Sequence, residues 1–215
     1  MKTVAILIGI CLIMFSCQKE PPATKIEGIT TTENPPGNLS TEDYFVPQYR
    51  LSVPRTIRVR YIGLPAGLVT ALIQAINNYN VLQLKLKFAL VTTTADITVE
   101  GRVLDAGTLA SSGYPSQDKP YPTIIVNAGP QGLSNPANAG IARRVLQHEL
   151  GHCIGLIHPD RTMVRPCGPP TEPPIGAIHV PGTPTGLDTL SLMLRCNPGD
   201  VFSQRDIQSL KWMYN

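Results

Sequence analysis

The stretch QHELGHCIGLIHPD, residues 147–160, contains three of the four histidines of this chain of 215 residues. His148 and His152 are four residues apart, so on a helix their side chains project from one face, one turn apart. Glu149 directly follows the first histidine, where its carboxylate can exchange a proton with water held near the two imidazoles. A surface helix with two incidental histidines is the alternative explanation of this pattern.

The third histidine requires the chain to change direction after the helix. His158 is six residues past His152, and a continued helix would carry it away from the other imidazoles. Gly155 can adopt a positive φ without side-chain strain, so it can end the helix and turn the chain back. His148, His152 and His158 are therefore predicted to bind one Zn²⁺.

The predicted zinc site has three protein ligands. A closed structural site would need a fourth, and the nearest candidate, Cys153, lies about 100° round the helix from His152. Three histidines plus a water molecule is a catalytic arrangement, in which the metal acidifies the water. Glu149 is then expected to act as general base and, later, as general acid.

HELGHCIGLIH resembles the HExxHxxGxxH zinc signature of the metzincin metallopeptidases. The segment AIHVPGTPTGLDTLSLMLRC, residues 177–196, is similar to one particular group, the bacterial dual-action HEIGH metallopeptidases, also called the protease B family. AINNYN, LKLKF and ADITVEG are similar to a helix and strands of that family, so the resemblance covers about residues 55–214. It implies a zinc endopeptidase that acts on polypeptides.

The resemblance also implies a Met-turn, a tight turn whose methionine lies beneath the metal. Met193 in the segment SLML is the expected methionine, and Met163 is the competitor, although it lies too close to His158 to complete a separate turn. Some metzincins place a tyrosine two residues after this methionine, where the present chain has Arg195, which is expected to support the fold or bind substrate. His179 is expected to be a hydrogen-bonded loop histidine.

The hydrophobic patterns predict an α+β fold. Strands are predicted over residues 56–62, 82–91, 95–103 and 123–127, and helices over 65–80, 138–154 and 203–214. By resemblance, these elements form a metzincin-like catalytic domain. It would have a twisted mixed sheet with a backing helix and an active-site helix, to about residue 155, and an irregular lower part, 156–215, with the Met-turn and the final helix. The strand TIIVN, or the loop before it, would form the upper rim of the cleft, and an exposed edge there could pair with substrate.

The N-terminus predicts export and a lipid anchor. An apolar run over residues 4–15 is shorter than the ~20 residues of a membrane span and fits the core of a signal peptide, residues 1–16. The end of this run resembles a bacterial lipobox, so Cys17 is predicted to carry lipid in an outer-membrane, surface-exposed lipoprotein. An ordinary secretory signal with an incidental cysteine is the alternative.

Between the predicted signal and the domain at 51–215 lies a segment rich in Pro, Thr, Glu and Gly. Residues 17–50 are predicted to form a flexible tether, because they contain few large apolar side chains. A folded pro-domain is the alternative, and a short blocking peptide also stays open.

The cysteines outside the signal and the lipid site are odd in number. Cys11 is removed with the signal, which leaves Cys153, Cys167 and Cys196 in an oxidising compartment. At most one intramolecular bridge can form among three thiols. Cys153 falls on the histidine-bearing helix, so Cys167 and Cys196 are the favoured pair, although spacing alone does not determine connectivity.

Composition narrows the function classes. Apolar residues make up 42% of the chain and charged residues 15%, which favours a folded core over disorder. A net charge of +3 without basic runs argues against nucleic acid as a partner, and a monomer is expected. Two alternatives to a peptidase stay open: a non-catalytic surface-binding lipoprotein that retains the fold, and a hydrolase of non-peptide amides or esters.

Overall fold

The computed structural model describes residues 47–138, 140–161, 163–167, 177–184 and 186–215. Its first turn is a 3-10 helix over Pro47–Tyr49, and the Tyr49 ring stacks on Tyr114 with centroids 4.9 Å apart. The predicted signal peptide, the lipidation site Cys17 and residues 17–46 of the tether lie outside the described residues.

A five-stranded mixed sheet forms the upper part of the domain. Its strands are β1 (Arg55–Ile62), β2 (Leu86–Leu90), β3 (Ile97–Arg102), β4 (Ala110–Ser111) and β5 (Thr123–Asn127). The order is β2-β1-β3-β5-β4, in which the first four strands run parallel and β4 runs antiparallel to β5. This confirms the α+β class and the mixed sheet.

Side chains alternate across the sheet as the sequence pattern predicts. Ile57 and Val59 in β1 are buried, whereas Arg58 between them is exposed and pairs with Asp96 at 2.9 Å. The inward side chains of β2, β3 and β5 are likewise apolar and buried: Leu86, Phe88, Ile97, Val99, Ile124 and Val126. One face of the sheet therefore belongs to the core, and the other faces solvent.

Helices α1 (Ala66–Asn80) and α2 (Ala142–Cys153) contribute to the same core as this face. The buried residues of α1 recur at helical spacing, which is the pattern that predicted it. Tyr79 near the end of α1 donates a hydrogen bond from its hydroxyl to the Gln147 carbonyl at 2.9 Å, which ties the two helices together. Among the described residues, no helix has the length and apolar character to span a membrane.

Two predicted boundaries were wrong. The active-site helix begins at Ala142 instead of residue 138, because a separate 3-10 turn, Pro136–Asn138, precedes it and Gly140 is a weak helix former. Strand β2 begins at Leu86 instead of residue 82, after a turn in which Gln83 adopts a left-handed φ of +56°. In both places, residues that the hydrophobic pattern assigned to the start of a helix or strand form a turn instead.

The rim was expected on the strand TIIVN or on the loop before it, and the outer strand lies in that loop. Strand β5, the segment TIIVN, is not an edge, because β4 pairs with it through Ala110 opposite Val126 and Ser111 opposite Ile125. The sequence assigned residues 110–111 to a loop, since two residues are too few to show an alternating pattern. The outer strand on this side is therefore β4, which lies in the loop before TIIVN.

The last helix, α3 (Gln204–Tyr214), closes the lower part of the domain. Ser203 is its N-cap and forms a capping box with Asp206. At the other end, Tyr214 donates a hydrogen bond from its hydroxyl to the Ile154 carbonyl, and its own carbonyl accepts one from Lys85 at 2.9 Å. The helix thereby connects the end of α2 to the start of β2.

Candidate active site

Three imidazole nitrogens converge beside helix α2. Nε2 of His148 lies 3.0 Å from Nε2 of His152, and Nε2 of His158 lies 3.1 Å from each of them. All three side chains are buried. The fold therefore brings together the three histidines that the sequence singled out.

Backbone carbonyls determine which nitrogen faces the cluster. Nδ1 of His148 lies 2.8 Å from the Leu192 carbonyl oxygen, and Nδ1 of His152 lies 2.8 Å from that of Leu156. A carbonyl only accepts hydrogen bonds, so each Nδ1 carries the proton and each Nε2 of these neutral rings presents a lone pair. Burial, together with the charges of the other two histidines, lowers the pKa of His152 well below its usual range and keeps it neutral.

The end of α2 turns the chain so that the third histidine can return. Gly155 has a φ of +105°, and its N–H bonds the His152 carbonyl at 2.9 Å, while Leu156 N–H bonds the Gly151 carbonyl at 3.0 Å. These two bonds form a Schellman motif, which favours glycine at this place. A Cβ on Gly155 would also lie 2.6 Å from the Tyr49 carbonyl oxygen. The glycine is therefore required by both backbone conformation and space.

The three histidines fit a small divalent cation. Lone pairs of three neutral Nε2 atoms repel one another unless a positive ion lies between them, and imidazole suits Zn²⁺. A tetrahedral ion with bonds of ~2.0–2.1 Å separates its ligand atoms by about 3.3 Å, close to the separations found here. No fourth histidine, cysteine or carboxylate joins the cluster within the described residues. The donor set is therefore that of an open site rather than a closed structural one.

Glu149 lies beside this cluster with a partner that the sequence did not reveal. The Ser112 hydroxyl lies 2.6 Å from Glu149 Oε2 and 3.2 Å from the Glu149 carbonyl oxygen. Burial raises the pKa of Glu149 to about 7, although the Ser112 hydrogen bond and the charge of His158 act to lower it. The carboxyl group can therefore exist in both protonation states near neutral pH, as proton transfer requires.

Met193 lies beneath helix α2, where a Met-turn methionine was expected. It is buried, and a Cβ placed on Gly151 would lie 2.8 Å from its sulfur and 2.9 Å from the Tyr79 hydroxyl. The absence of a side chain at Gly151 thus lets the sulfur approach the helix between His148 and His152. Met163 lies elsewhere, with its carbonyl bonded to the Arg195 guanidinium at 2.9 Å.

Two buried carboxylates hold the backbone around Met193. Asp206 of α3 accepts hydrogen bonds from the Ser191 hydroxyl at 2.6 Å and from Leu192 N–H at 2.8 Å. On the other side, Asp160 accepts one from Arg195 N–H at 2.9 Å. Because Asp160 is two residues past His158, the turn below the cluster is joined to the segment that carries the third histidine.

The other residues that the sequence singled out are three cysteines and the fourth histidine, and each has a structural environment. A disulfide joins Cys167 to Cys196, with Cα atoms 5.8 Å apart. Cys153 is buried and free, and burial raises the pKa of its thiol well above the usual range, so it stays protonated and unreactive. Nε2 of His179 lies 2.9 Å from the Thr183 carbonyl, which places it in a hydrogen-bonded loop.

Sequence reasoning missed Ser112, Asp160 and Asp206. Ser112 lies 37 positions from Glu149, inside a segment rich in Gly, Ser and Pro that gave no pattern. Asp206 did carry a signal, because it stands three residues after Ser203 and so completes the S-x-x-D pattern of a capping box. That pattern indicates a helix start, but it does not reveal that the same carboxylate contacts the turn around Met193.

Comparison with known proteins places this site in a family. Two structures of myroilysin share the fold, with TM-scores of 0.52 and 0.51 at 17% and 15% identity. The first match covers 79% of this chain and 97% of the other, and the second 82% and 92%. No curated protein sequence shows significant similarity. The family model of the dual-action HEIGH metallo-peptidases matches residues 50–214, so the chain belongs to this metallopeptidase family.

Proposed function

We propose that this metallopeptidase is a zinc-dependent endopeptidase in which Glu149 moves the protons. One observation carries the proposal: three Nε2 atoms converge at 3.0–3.1 Å beside the buried carboxyl group of Glu149. A closed structural metal site would not need an adjacent carboxyl group. Peptide hydrolysis requires one, because a proton must pass from water to the leaving nitrogen.

His148, His152 and His158 are the residues that would hold Zn²⁺. When bound, the metal supplies a Lewis acid that polarises the scissile carbonyl group and acidifies water. The chain fixes the geometry in advance, since the Leu192 and Leu156 carbonyls hold the rings of the first two histidines. Such partners usually orient metal-binding imidazoles and raise their basicity.

Glu149 acts first as general base and then as general acid. In its ionised form it accepts a proton from the attacking water, and in its protonated form it donates that proton to the amine nitrogen of the leaving product. Ser112 binds Oε2, so Oε1 is the oxygen left for this exchange.

The substrate is a polypeptide, bound in an extended form along β4. Strand β4 covers β5, so the outer edge of Ala110–Ser111, in the loop before TIIVN, serves as the rim, and Ser112 directly after it contacts Glu149. Backbone groups of an extended peptide can pair with such an edge. Tyr114 lies next along the chain, with its ring edge-on to His152 at 5.3 Å, and offers an aromatic wall for a substrate side chain.

A non-catalytic surface-binding protein is the second candidate. The buried position of Glu149 disfavours it, because burying a carboxyl group destabilises the fold unless it has a role. Measuring both zinc content and casein cleavage separates the candidates. The proposal expects about one zinc per chain and cleavage that a chelator stops and added zinc restores. Turnover of amide or ester probes without any cleavage of casein or peptides would instead support a non-peptide hydrolase.

A lipid on Cys17 would hold the enzyme in the outer membrane of a bacterial cell envelope, with residues 17–46 as spacer. The support is the sequence alone: an apolar run of signal-peptide length ends in a small residue and a cysteine. The domain would then act as a monomer at the surface, on polypeptides that reach it from outside.

A further inference from the structure

We propose that Ser112 is a positioning residue for Glu149. Its hydroxyl holds one carboxylate oxygen in place and thereby aims the other at the water molecule that loses a proton. The inference rests on the proposed role of Glu149 as proton carrier. It adds a residue from a different part of the fold to the machinery of the same site.

The hydrogen bond between these residues goes to the carboxylate. A serine hydroxyl has one proton, and the distance to Oε2 is 2.6 Å against 3.2 Å to the backbone carbonyl of Glu149. The shorter distance is typical of a hydroxyl bound to a charged oxygen. Oε1 has no hydrogen-bond partner in the part of the chain that the structure describes. The two oxygens of Glu149 therefore have different surroundings, and only one is committed to the protein.

The segment before Ser112 is fixed by a buried asparagine. Asn127, at the end of β5, donates from its side chain to the Thr108 carbonyl at 2.8 Å and from its backbone to the Leu109 carbonyl at 2.8 Å. Leu109 and Ala110 are themselves buried. The serine thus follows directly on a strand that cannot shift without breaking buried hydrogen bonds.

The segment after Ser112 is fixed by aromatic contacts. A Cβ on Gly113 would lie 2.7 Å from the Tyr121 ring, so this glycine packs directly on the ring. Tyr121 N–H in turn bonds the Cys153 carbonyl at the end of α2. Tyr114 stacks on Tyr49. Ser112 is therefore held on both sides, which is what a group needs in order to orient another.

Orientation matters because Glu149 extends from a helix through several rotatable bonds. A carboxylate that samples several rotamers spends only part of its time within reach of the water. The Ser112 hydrogen bond selects one arrangement before substrate arrives. Its loss should lower the rate of the chemical step and leave substrate binding nearly unchanged, since Ser112 faces the carboxylate.

Steady-state kinetics on a peptide substrate test this with the full-length zinc-loaded enzyme. Ser112→Ala is expected to lower kcat about 10- to 100-fold and to change KM by less than about threefold. Ser112→Thr, which keeps the hydroxyl, is expected to retain kcat within about threefold. Ser209→Ala is the control: Ser209 is a buried serine whose hydroxyl donates to the Arg205 carbonyl at 2.8 Å, away from the site. It should keep kcat unchanged.

Two results would overturn the inference. One is wild-type kcat in Ser112→Ala; the other is an equal loss of kcat in the Ala and Thr variants. If Ser112→Ala does not fold, Ser112→Cys fills the same space with a much weaker donor and should show the same loss. Glu149→Gln, measured alongside, separates the two proposals. An active Glu149→Gln refutes the proposed function itself, whereas an inactive one together with a fully active Ser112→Ala refutes only the role of Ser112.

Discussion

Asp206 and His148 bind opposite sides of the same residue. Leu192 donates its N–H to Asp206 Oδ2 at 2.8 Å, and its carbonyl accepts the Nδ1 proton of His148 at 2.8 Å. His148, a proposed metal ligand, is thus oriented by a backbone group that a carboxylate of the last helix holds in place. Partners of metal-binding histidines commonly contribute to metal affinity. We therefore expect Asp206 to influence the metal site through Leu192.

Asp206→Asn is expected to weaken zinc binding about tenfold. The neutral amide keeps one acceptor oxygen and can at best reverse the bond with the Ser191 hydroxyl, so the bonds from Leu192 and Ser203 N–H lose their charged acceptor and the carbonyl that holds His148 is less firmly fixed. Competition with a fluorescent zinc chelator, well below the unfolding temperature, gives the dissociation constant. Asp200→Asn is the control, since Asp200 is exposed and pairs with Arg144. A folded Asp206→Asn protein with the wild-type dissociation constant for zinc would rule out this influence of Asp206 on the metal site.

The raised pKa of the Asp206 carboxyl group predicts how the free energy of unfolding depends on pH. Burial raises the pKa of Asp206 to about 6 and nearby Asp188 acts in the same direction, although hydrogen bonds from Ser191, Leu192 and Ser203 oppose the rise. In the unfolded chain this pKa is about 3.9. Between these values the folded state binds more protons, so the free energy of unfolding falls as pH rises from about 4 to 6, by up to about 3 kcal/mol, and then levels off.

The comparison with Asp206→Asn isolates this contribution. Denaturant unfolding of both metal-free proteins across this range should show the stability advantage of the wild type shrinking as pH rises. Because Asn does not titrate, the contributions of other groups cancel in the difference. A difference that is constant from pH 4 to 7, or one that grows with pH, would show that Asp206 is ionised in the folded protein throughout.

Gly155→Ala is expected to destabilise the protein by about 2 kcal/mol or more. The substitution forces a Cβ into a φ of +105° and within 2.6 Å of the Tyr49 carbonyl. Zinc affinity should fall as well, because the turn positions His158. Gly67→Ala is the control: it lies in α1, where a Cβ meets nothing within 4 Å, and should leave stability unchanged or raise it by up to ~1 kcal/mol. Equal unfolding temperatures for the two variants would contradict the role given to Gly155.

Much of the site could be predicted because it is local in sequence. His148, Glu149 and His152 share a helix, and Gly155 and His158 follow within one turn of chain, so spacing alone brought them together. The position of Met193 needed the family resemblance. Ser112 and Asp206 were missed because their contacts arise only when β4 pairs with β5 and when α3 packs against the turn around Met193. The spacing of apolar residues within either segment does not indicate which distant residue it will contact.

The fold, like the site, could be predicted where it depends on residues close in sequence and not where it depends on distant ones. The buried faces of α1, β1 and β3 follow from patterns that each segment carries alone. The start of α2 at Ala142 and the pairing of Ala110–Ser111 depend on neighbours, so the sequence placed them wrongly or not at all. For the same reason, the sequence left open whether the outer edge belongs to TIIVN or to the loop before it, where β4 lies.

Cys17→Ser is expected to release the enzyme from membranes. If the cysteine carries lipid, the wild-type protein expressed in a bacterial host should partition into the detergent phase and incorporate labelled fatty acid. The variant should lose both properties while its catalytic domain keeps its specific activity. Recovery of the unsubstituted protein in the aqueous phase, cleaved elsewhere than before Cys17, would support an ordinary secretory signal instead.

The central claim is that Glu149 carries the proton in zinc-dependent peptide hydrolysis. The most direct measurement compares wild type and Glu149→Gln on a proteome-derived peptide library, with the zinc content of both proteins determined by elemental analysis. We predict about one zinc per chain in each protein, a defined set of internal cleavages by the wild type, and a loss of at least about 10²-fold in the variant. Full cleavage by zinc-loaded Glu149→Gln would contradict the account.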